Sequence, residues 1–198
     1  MVILKKTKAI VVDYEDCLTK PFAEQGIEKC CEKFGISPKK IIPIIKDPFL
    51  EDYLSPEMVA DCHQIFRKEI ENAKANSSVL ELMCYCQNKN YEIFVSSKGF
   101  ADSIEKALKK PEFSCLNVVL VFGREDGNKQ EHLEKIRRIY DPDEIIVFGD
   151  DPSDFENNAE FKIALNLSGK NQERFLPGTV DLIINSPLTI SLAKDFIH

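Results

Sequence analysis

The sequence predicts an α/β protein, a doubly wound parallel sheet with a small helical unit inserted after its first strand. Two observations carry this. Short, nearly all-apolar runs rich in Val, Ile and Phe recur along the chain: Lys8 to Asp13 (KAIVVD), Tyr91 to Ser96 (YEIFVS), Asn117 to Gly123 (NVVLVFG), Glu144 to Asp150 (EIIVFGD) and Phe161 to Asn166 (FKIALN), with Val180 to Ile184 (VDLII) a sixth candidate. They do not alternate apolar with polar, which is how strands covered on both faces of a parallel sheet read. Helical patterns separate them from Val79 onward, and strand–helix alternation of this kind builds doubly wound sheets.

Taken in order, the first run ends in the acid Asp13. The stretch from Lys20 to Asn76 then holds no buried-strand run and is helical in character. Ser37-Pro38 opens a short segment that Pro43 interrupts, since proline removes a helix hydrogen bond. Ser55-Pro56 reads as an N-cap followed by proline at the first helical position. Met58, Cys62, Phe66 and Ile70 follow in steps of four, one face of an amphipathic helix. An insertion of roughly fifty residues exceeds an ordinary connection, so residues 20–76 are expected to form a helical cap, and 1–19 with 77–198 the core. Ser77-Ser78 is positioned to cap a helix running through Leu80 and Met83 to Gln87. Phe100, Ile104 and Leu108 recur every four residues, and Leu133 and Ile136 share a face of Lys129 to Tyr140.

Composition narrows the class. The chain has 198 residues, 43% hydrophobic and 30% charged, with Lys+Arg 26 against Asp+Glu 33 and a net charge of −7. This is an ordinary globular composition, and a chain of this length buries roughly 70% of its unfolded surface. The acidic balance and the lack of a Lys/Arg cluster argue against nucleic acid as a partner, because such binding needs a basic face. The longest apolar stretch, Val118 to Phe122, is too short to span a bilayer. Lys5, Lys6 and Lys8 are followed only by Ala9 to Val12, which is no signal-peptide core, and a cytoplasmic location is expected. Seven cysteines without a CxxC fit reduced, mostly buried thiols rather than a zinc site or a disulfide framework. A monomer or homodimer is expected.

Ligands of open α/β sheets sit at the carboxyl ends of the strands, and this chain places its acids there. The first run ends in Asp13-Tyr14-Glu15-Asp16, the second in Ser96-Ser97-Lys98-Gly99, and the fourth in Gly149-Asp150-Asp151-Pro152-Ser153-Asp154. After the third run the loop Gly123 to Asn128 leads to Lys129, which opens a helix. Two carboxylates about 4 Å apart repel by about 4 kcal/mol at an effective dielectric of 20. Asp13, Asp150 and either Asp151 or Asp154 at one edge therefore call for a cation, and a hard oxygen-liganded ion such as Mg²⁺ suits them. Lys129 adds a fixed positive charge, although a cation in the first turn of a helix opposes the dipole unless an acid compensates. Ser96, directly after its run, is the preferred hydroxyl donor, with Ser97 the alternative register. Phosphoryl transfer asks for such positioning and charge neutralisation, and an Asp can itself be the nucleophile.

The order Asp13-x-Glu15, Ser96, Lys129, Gly149-Asp150-x-x-x-Asp154 resembles the haloacid dehalogenase-like hydrolase superfamily over nearly the whole chain, and the insertion resembles that family's cap of the first type. The resemblance implies that Asp13 is the nucleophile and a magnesium ligand. Residue 15 would be the general acid/base, with its backbone carbonyl on the metal. Ser96 would hold a phosphoryl oxygen, Lys129 would neutralise nucleophile and phosphate, and Asp150 would be the second metal carboxylate. Asp154 would support the metal or Lys129, with Asp151 a stand-in. The substrate class implied is a small phosphorylated metabolite. The family's hydrolytic members usually read Asp-x-Asp-Gly-Thr, whereas this chain reads Asp13-Tyr14-Glu15-Asp16-Cys17. The Glu adds a methylene, Asp16 stands where a glycine often serves a tight turn, and Cys17 replaces a hydroxyl. Those changes motivate a second reading, a weak or inactive member that binds a phosphate ligand or a protein. A sugar-phosphate mutase uses the same chemistry, whereas the acid at residue 15 counts against a metal-free dehalogenase. His63 on the cap helix, His132 on a surface-like helix and His198 at the terminus are dispersed and read as packing or solvated residues; Lys98 and Arg124 read as solvated loop charges, with substrate contact the alternative. Phe22, Phe49, Tyr53 and Arg67 are candidates for substrate contact from the cap.

Overall fold

The computed structural model describes residues 8–39, 41–42, 55–156, 158–167, 175–176 and 178–197. The predicted break at Pro43, the candidate contacts Phe49 and Tyr53, and His198 lie outside the described residues. The apolar runs form the six strands β1 (Lys8–Val12), β2 (Tyr91–Ser96), β3 (Val118–Phe122), β4 (Ile145–Gly149), β5 (Phe161–Leu165) and β6 (Leu182–Ile184). They pair in parallel in the order β3-β2-β1-β4-β5-β6, a Rossmann-like arrangement. The chain leaves β1 to build one half of the sheet and returns beside it as β4. The crevice for a ligand opens at that reversal, between the carboxyl ends of β1 and β4.

Strand side chains alternate between faces, and both faces are apolar. Ile10, Val12, Ile93, Val95, Ile146 and Phe148 pack on one side with Val79, Leu82 and Met83 of α3 (Ser77–Asn88) and Ile104 of α4 (Ala101–Leu108). Ala9, Val11, Phe94 and Val147 pack on the other with Leu133 and Ile136 of α5 (Lys129–Tyr140). Helix α3 begins one residue earlier than its serines suggest: Asn76 is the N-cap and gives no side-chain capping bond, and its backbone N–H donates to Leu18 O at 2.9 Å. Residues 187–196 form a 3-10 helix that the pattern did not predict.

The insertion carries α1 (Ala23–Phe34) and α2 (Pro56–Asn72). Ser55 Oγ accepts from Met58 N at 3.3 Å and Pro56 opens the helix, and α2 buries Cys62, Phe66 and Ile70. The two cap helices approach closely at Gly26, where an added Cβ would lie 2.5 Å from the Phe66 ring. The ends of the insertion meet in a short antiparallel clasp: Thr19 bridges Ala75, and Lys20 N donates to Lys74 O at 2.8 Å. Tyr14, fully buried, donates its hydroxyl to Ile70 O at 3.1 Å and so ties the end of β1 to α2. None of the seven cysteines is in a disulfide; Cys17, Cys30, Cys62 and Cys86 are buried, whereas Cys115 is exposed. Among the described residues no helix is long and apolar enough to cross a membrane.

Candidate active site

The β1 ladder extends one residue past the strand, with Asp13 N donating to Phe148 O at 3.0 Å. The chain then turns sharply over Tyr14–Leu18, closed by Leu18 N to Asp13 O and Thr19 N to Tyr14 O. Asp16 takes the left-handed conformation there, φ 54° and ψ 4°. Asp visits this region more readily than most residues besides Gly, which is why the turn survives without glycine. Asp13 Oδ1 accepts from Tyr14 N at 2.8 Å, so the turn itself orients the carboxylate.

Three further elements converge on Asp13. Lys129, the first residue of α5, places Nζ 2.8 Å from Asp13 Oδ1 and 2.9 Å from Asp154 Oδ1, and also donates to Ser96 O. These acids offset the unfavourable position of a cation at a helix start. Asp154 is buried, and its Oδ2 accepts from Asp150 N and Asp151 N, both at 3.0 Å. It fits there because residue 149 is glycine: a Cβ would come within 2.3 Å of Asp154 Oδ2. One oxygen each from Asp13, Asp150 and Asp154 lie within 4.8 Å of one another.

This crowding shows in the titration. Burial, opposed by Lys129 and reinforced by Asp154, pushes the Asp13 carboxyl up to about 6. Burial and then the charges of Asp13, Asp154 and Asp16 push Asp150 up to about 9. Burial works against the Lys129 charge, yet Asp13 and Asp154 outweigh it and hold the ammonium above the usual lysine range. Three carboxylates thus face one ammonium. An all-oxygen, over-negative cluster of this kind fits a hard divalent cation.

The other residues singled out in the sequence fall differently. The Asp151 carboxylate is not in the cluster; its Oδ1 accepts from Ser153 N and Oγ at 3.0 and 2.7 Å and caps the turn Pro152–Phe155. Ser96 lies on the far side of its strand. Its hydroxyl is buried and meets His132 Nδ1 at 2.8 Å, while His132 Nε2 meets Gly123 O at 3.1 Å. A carbonyl only accepts, so Nε2 carries the hydrogen and Ser96 donates to Nδ1. Burial and the neighbouring Lys129 push that imidazole down to about 4. Ser96 therefore contributes a backbone carbonyl to Lys129, and Ser97, one residue on, lines the cavity with Oγ held by Gly99 N at 3.0 Å. His132 is a buried residue, not one on a surface-like helix.

Glu15 lines the cavity too, but its Oε1 accepts from Phe22 N at 2.9 Å and Ala23 N at 2.5 Å. Helix α1 has no capping side chain at Phe22, and Glu15 supplies one from eight residues away at most. The added methylene of Glu over Asp gives it that reach.

The cavity above the cluster measures about 430 Å³. Phe22, Phe66, Ile70 and Phe100 line it, together with His63, which the sequence suggested was a packing or solvated group, and with Lys98 and Arg124, for which substrate contact was the alternative to a solvated loop charge. Lys98 is exposed and bonds Ser153 Oγ at 2.8 Å; Arg124 lies 5.1 Å from the Phe100 ring centre. Arg67 is not a lining residue; it pairs with Asp102 and sits over the Phe100 ring at 4.0 Å. The step of four that places Cys62, Phe66 and Ile70 along α2 was visible in the sequence, but nothing local told which way that face pointed.

No protein-family model matches the sequence, and no curated protein matches it. Solved structures do match in fold. A haloacid dehalogenase-like family hydrolase from Streptococcus pneumoniae is 18% identical, with 96% of this chain and 98% of that chain covered at a TM-score of 0.69. A hydrolase from Pseudomonas syringae is 16% identical, with 97% and 99% covered at 0.68. A phosphoserine phosphatase solved as a phospho-aspartyl intermediate analogue is 19% identical, with 96% and 99% covered at 0.63. The resemblance carried in the sequence by Asp13, Glu15, Ser96, Lys129, Asp150 and Asp154 is thus matched by the architecture: the chain has the haloacid dehalogenase-like fold over nearly its whole length.

Proposed function

We propose that the protein is a Mg²⁺-dependent phosphohydrolase acting on a small phosphomonoester through an aspartyl phosphate on Asp13. One observation carries this reading: a carboxylate oriented by Tyr14 N–H and Lys129 at the floor of a cavity, with two more carboxylate oxygens within 4.8 Å. Asp13 and Asp150 would hold the ion, with Asp154 supporting them, and a bound Mg²⁺ would neutralise the cluster together with the charge on the phosphoryl group. The chain's own residues do the rest. Asp13 attacks phosphorus as the ester oxygen leaves, and Lys129 keeps the nucleophile ionised and pulls on the phosphoryl oxygens. The Ser97 hydroxyl donates to one of those oxygens. Glu15, with Oε1 engaged at α1, carries on Oε2 the proton that the leaving oxygen takes, and then receives one from the attacking water. The cap wall excludes bulk water from the first step. The reading places the enzyme in the cytoplasm as a monomer or homodimer. Phosphate release from a panel of phosphomonoesters, with Mg²⁺ and with EDTA, tests it. Turnover that requires Mg²⁺ is expected, and none in either condition rejects the reading.

Stability should report the same ion. Asp13 and Asp150 have folded-state pKa values raised from 3.8 to about 6 and about 9. A raised carboxyl favours folding below its unfolded value and loses that contribution as pH rises through the folded value. The metal-free protein should therefore lose stability between about pH 4 and 9. Saturating Mg²⁺ should raise Tm by about 5 °C or more at pH 8 and by much less at pH 5. An equal shift at both pH values would contradict the cluster as the ion's site.

The two serines separate cleanly. Ser97→Ala should lower kcat/KM by roughly ten- to a hundredfold with little change in Tm. Ser96→Ala strips His132 Nδ1 of its donor in a buried place and should cost about 1–3 kcal/mol of stability, read by denaturant melts. A phosphate-binding protein without turnover is favoured by a single observation, the engagement of Glu15 by Phe22 N and Ala23 N. Glu15→Asp tests it: activity gained on shortening the side chain means a displaced acid, and continued silence means a binding role.

A further inference from the structure

We propose that the leaving group of the substrate is a flat, largely apolar one, such as an arylmethyl alcohol, rather than a polyol or an amino acid. This rests on the phosphohydrolase reading for the position of the phosphoryl group and on the cavity wall for everything beyond it. From the Asp13 floor, the space is bounded by Phe22 at the start of α1, by Cys62, Phe66 and Ile70 along one stripe of α2, and by Phe100 at the start of α4. The rings are fixed. Phe66 rests against Gly26, where no side chain intervenes, and Phe100 is held by the Arg67 guanidinium at 4.0 Å and by the His63 ring at 5.0 Å. Phe22 meets Tyr14 edge-on at 6.0 Å.

What the cap lacks matters equally. Among the described cap residues that line the cavity, the polar ones are Glu24, which is exposed, and His63, whose ring packs on Phe100 at 5.0 Å and whose Nε2 faces the Arg124 guanidinium at 3.5 Å; none is Lys, Arg, Asn, Gln, Ser or Thr. A polyol or a zwitterion placed against Phe22, Phe66, Ile70 and Phe100 would exchange most of its hydrogen bonds to water for apolar contact, with only His63 and Glu24 of the described cap lining to replace them, which is unfavourable. A ring placed there removes apolar surface from water on both partners and can stack edge-to-face on Phe66 or Phe100. A wall that is rigid before binding also asks little ordering of the bound molecule. Lys98, bonded to Ser153 Oγ at 2.8 Å beside the acidic turn, supplies positive charge for the phosphoryl end, whereas Arg124 lies against the Phe100 ring and His63 at the edge of the wall.

Leaving-group reactivity must be held level in the test, so all esters used are alkyl phosphates. Benzyl phosphate, glycerol 3-phosphate and O-phosphoserine are compared by kcat/KM with Mg²⁺. Benzyl phosphate is expected to lead by about thirtyfold or more. Phe66→Ala should collapse that lead to a few-fold, and Phe66→Leu, a smaller disturbance of the fold, should retain part of it. Glycerol 3-phosphate or O-phosphoserine matching or exceeding benzyl phosphate in the wild type overturns the proposal. If no ester is turned over, the phosphohydrolase reading fails by itself, and calorimetric binding of benzylphosphonate against 2-hydroxyethylphosphonate, each with Mg²⁺, decides the wall. Tighter binding of the benzyl compound supports it, and equal, weaker or absent binding overturns it.

Discussion

Asp13→Asn is expected to lower kcat by a factor on the order of 10³ or more while leaving the protein as stable as the wild type or more so. The two halves of this prediction share one cause. An amide has no electron pair of comparable nucleophilicity, so the phosphoryl group finds no acceptor. The same substitution relieves the cluster. The Asp13 carboxyl is pushed up to about 6, with burial and Asp154 outweighing the pull of Lys129, so at pH 8 its ionised form costs stability in the metal-free protein. Asn keeps the volume and removes the charge. Melting curves in EDTA at pH 8 should show Tm unchanged or raised by a few degrees, beside a phosphate-release rate near background. A variant that melts well below the wild type would mean that the Lys129 pair outweighs the repulsion, and a variant with most of its turnover would remove Asp13 from the reaction.

Lys129→Met should do the opposite to stability. The ammonium is the one cation that bonds Asp13 and Asp154 directly among the described residues, its side chain is 10% exposed, and the partners are 13% and 3% exposed. Removing one side of a buried pair leaves carboxylates without compensation and costs about 3–5 kcal/mol, or roughly 6–20 °C for a chain of this size. The loss should be large at pH 8 and small at pH 5, where Asp13 and Asp150, already raised, take up protons instead. Mg²⁺ should restore much of the stability, because an ion can neutralise the same acids. It should not restore turnover, since the fixed donor to the phosphoryl oxygens is gone. Melts at the two pH values, with and without Mg²⁺, check each part. A Tm at pH 8 within a degree of the wild type would show that Lys129 is not what balances the cluster.

Much of the sheet was legible because its strands are covered on both faces. Ala9 to Val12 and Ile145 to Phe148 must be apolar at every position, and such runs are hard to mistake. Helix α5 was legible from end to end, with Lys129 at its first position. The misplacements were all one-residue or non-local matters. Ser96 and Ser97 are adjacent, and on a strand adjacency means opposite sides, so a choice made on closeness to the apolar run picked the side that faces His132. Asp151 and Asp154 both follow Gly149, and which of them caps a turn and which enters the cluster depends on a hydrogen-bonding pattern that spacing does not contain. Glu15 was read only as an acid. That it caps α1 follows from how the insertion folds back, which no local pattern states. For His132 the sequence left packing and solvation open on a helix that looked surface-like, and the structure takes the packing side: it is buried and stacks on Phe122 beneath the helix.

The strand order has a consequence for how the molecule comes to be folded. Among the described strands β1 comes first along the chain, yet it lies in the interior of the sheet, with Lys8 opposite Tyr91 on one side and Ala9 opposite Ile145 on the other. Its neighbours are thus far away along the chain, and the whole of β2, α4, β3 and α5 must be synthesised before its second edge is covered. Pairings this distant fold slowly, because chain entropy is lost before contacts return it. During that interval the nascent segment presents Ile10, Val11 and Val12 with two open edges, a template for pairing with another copy. Yield on rapid expression should accordingly be limited by this strand and not by the final stability of the sheet that encloses it.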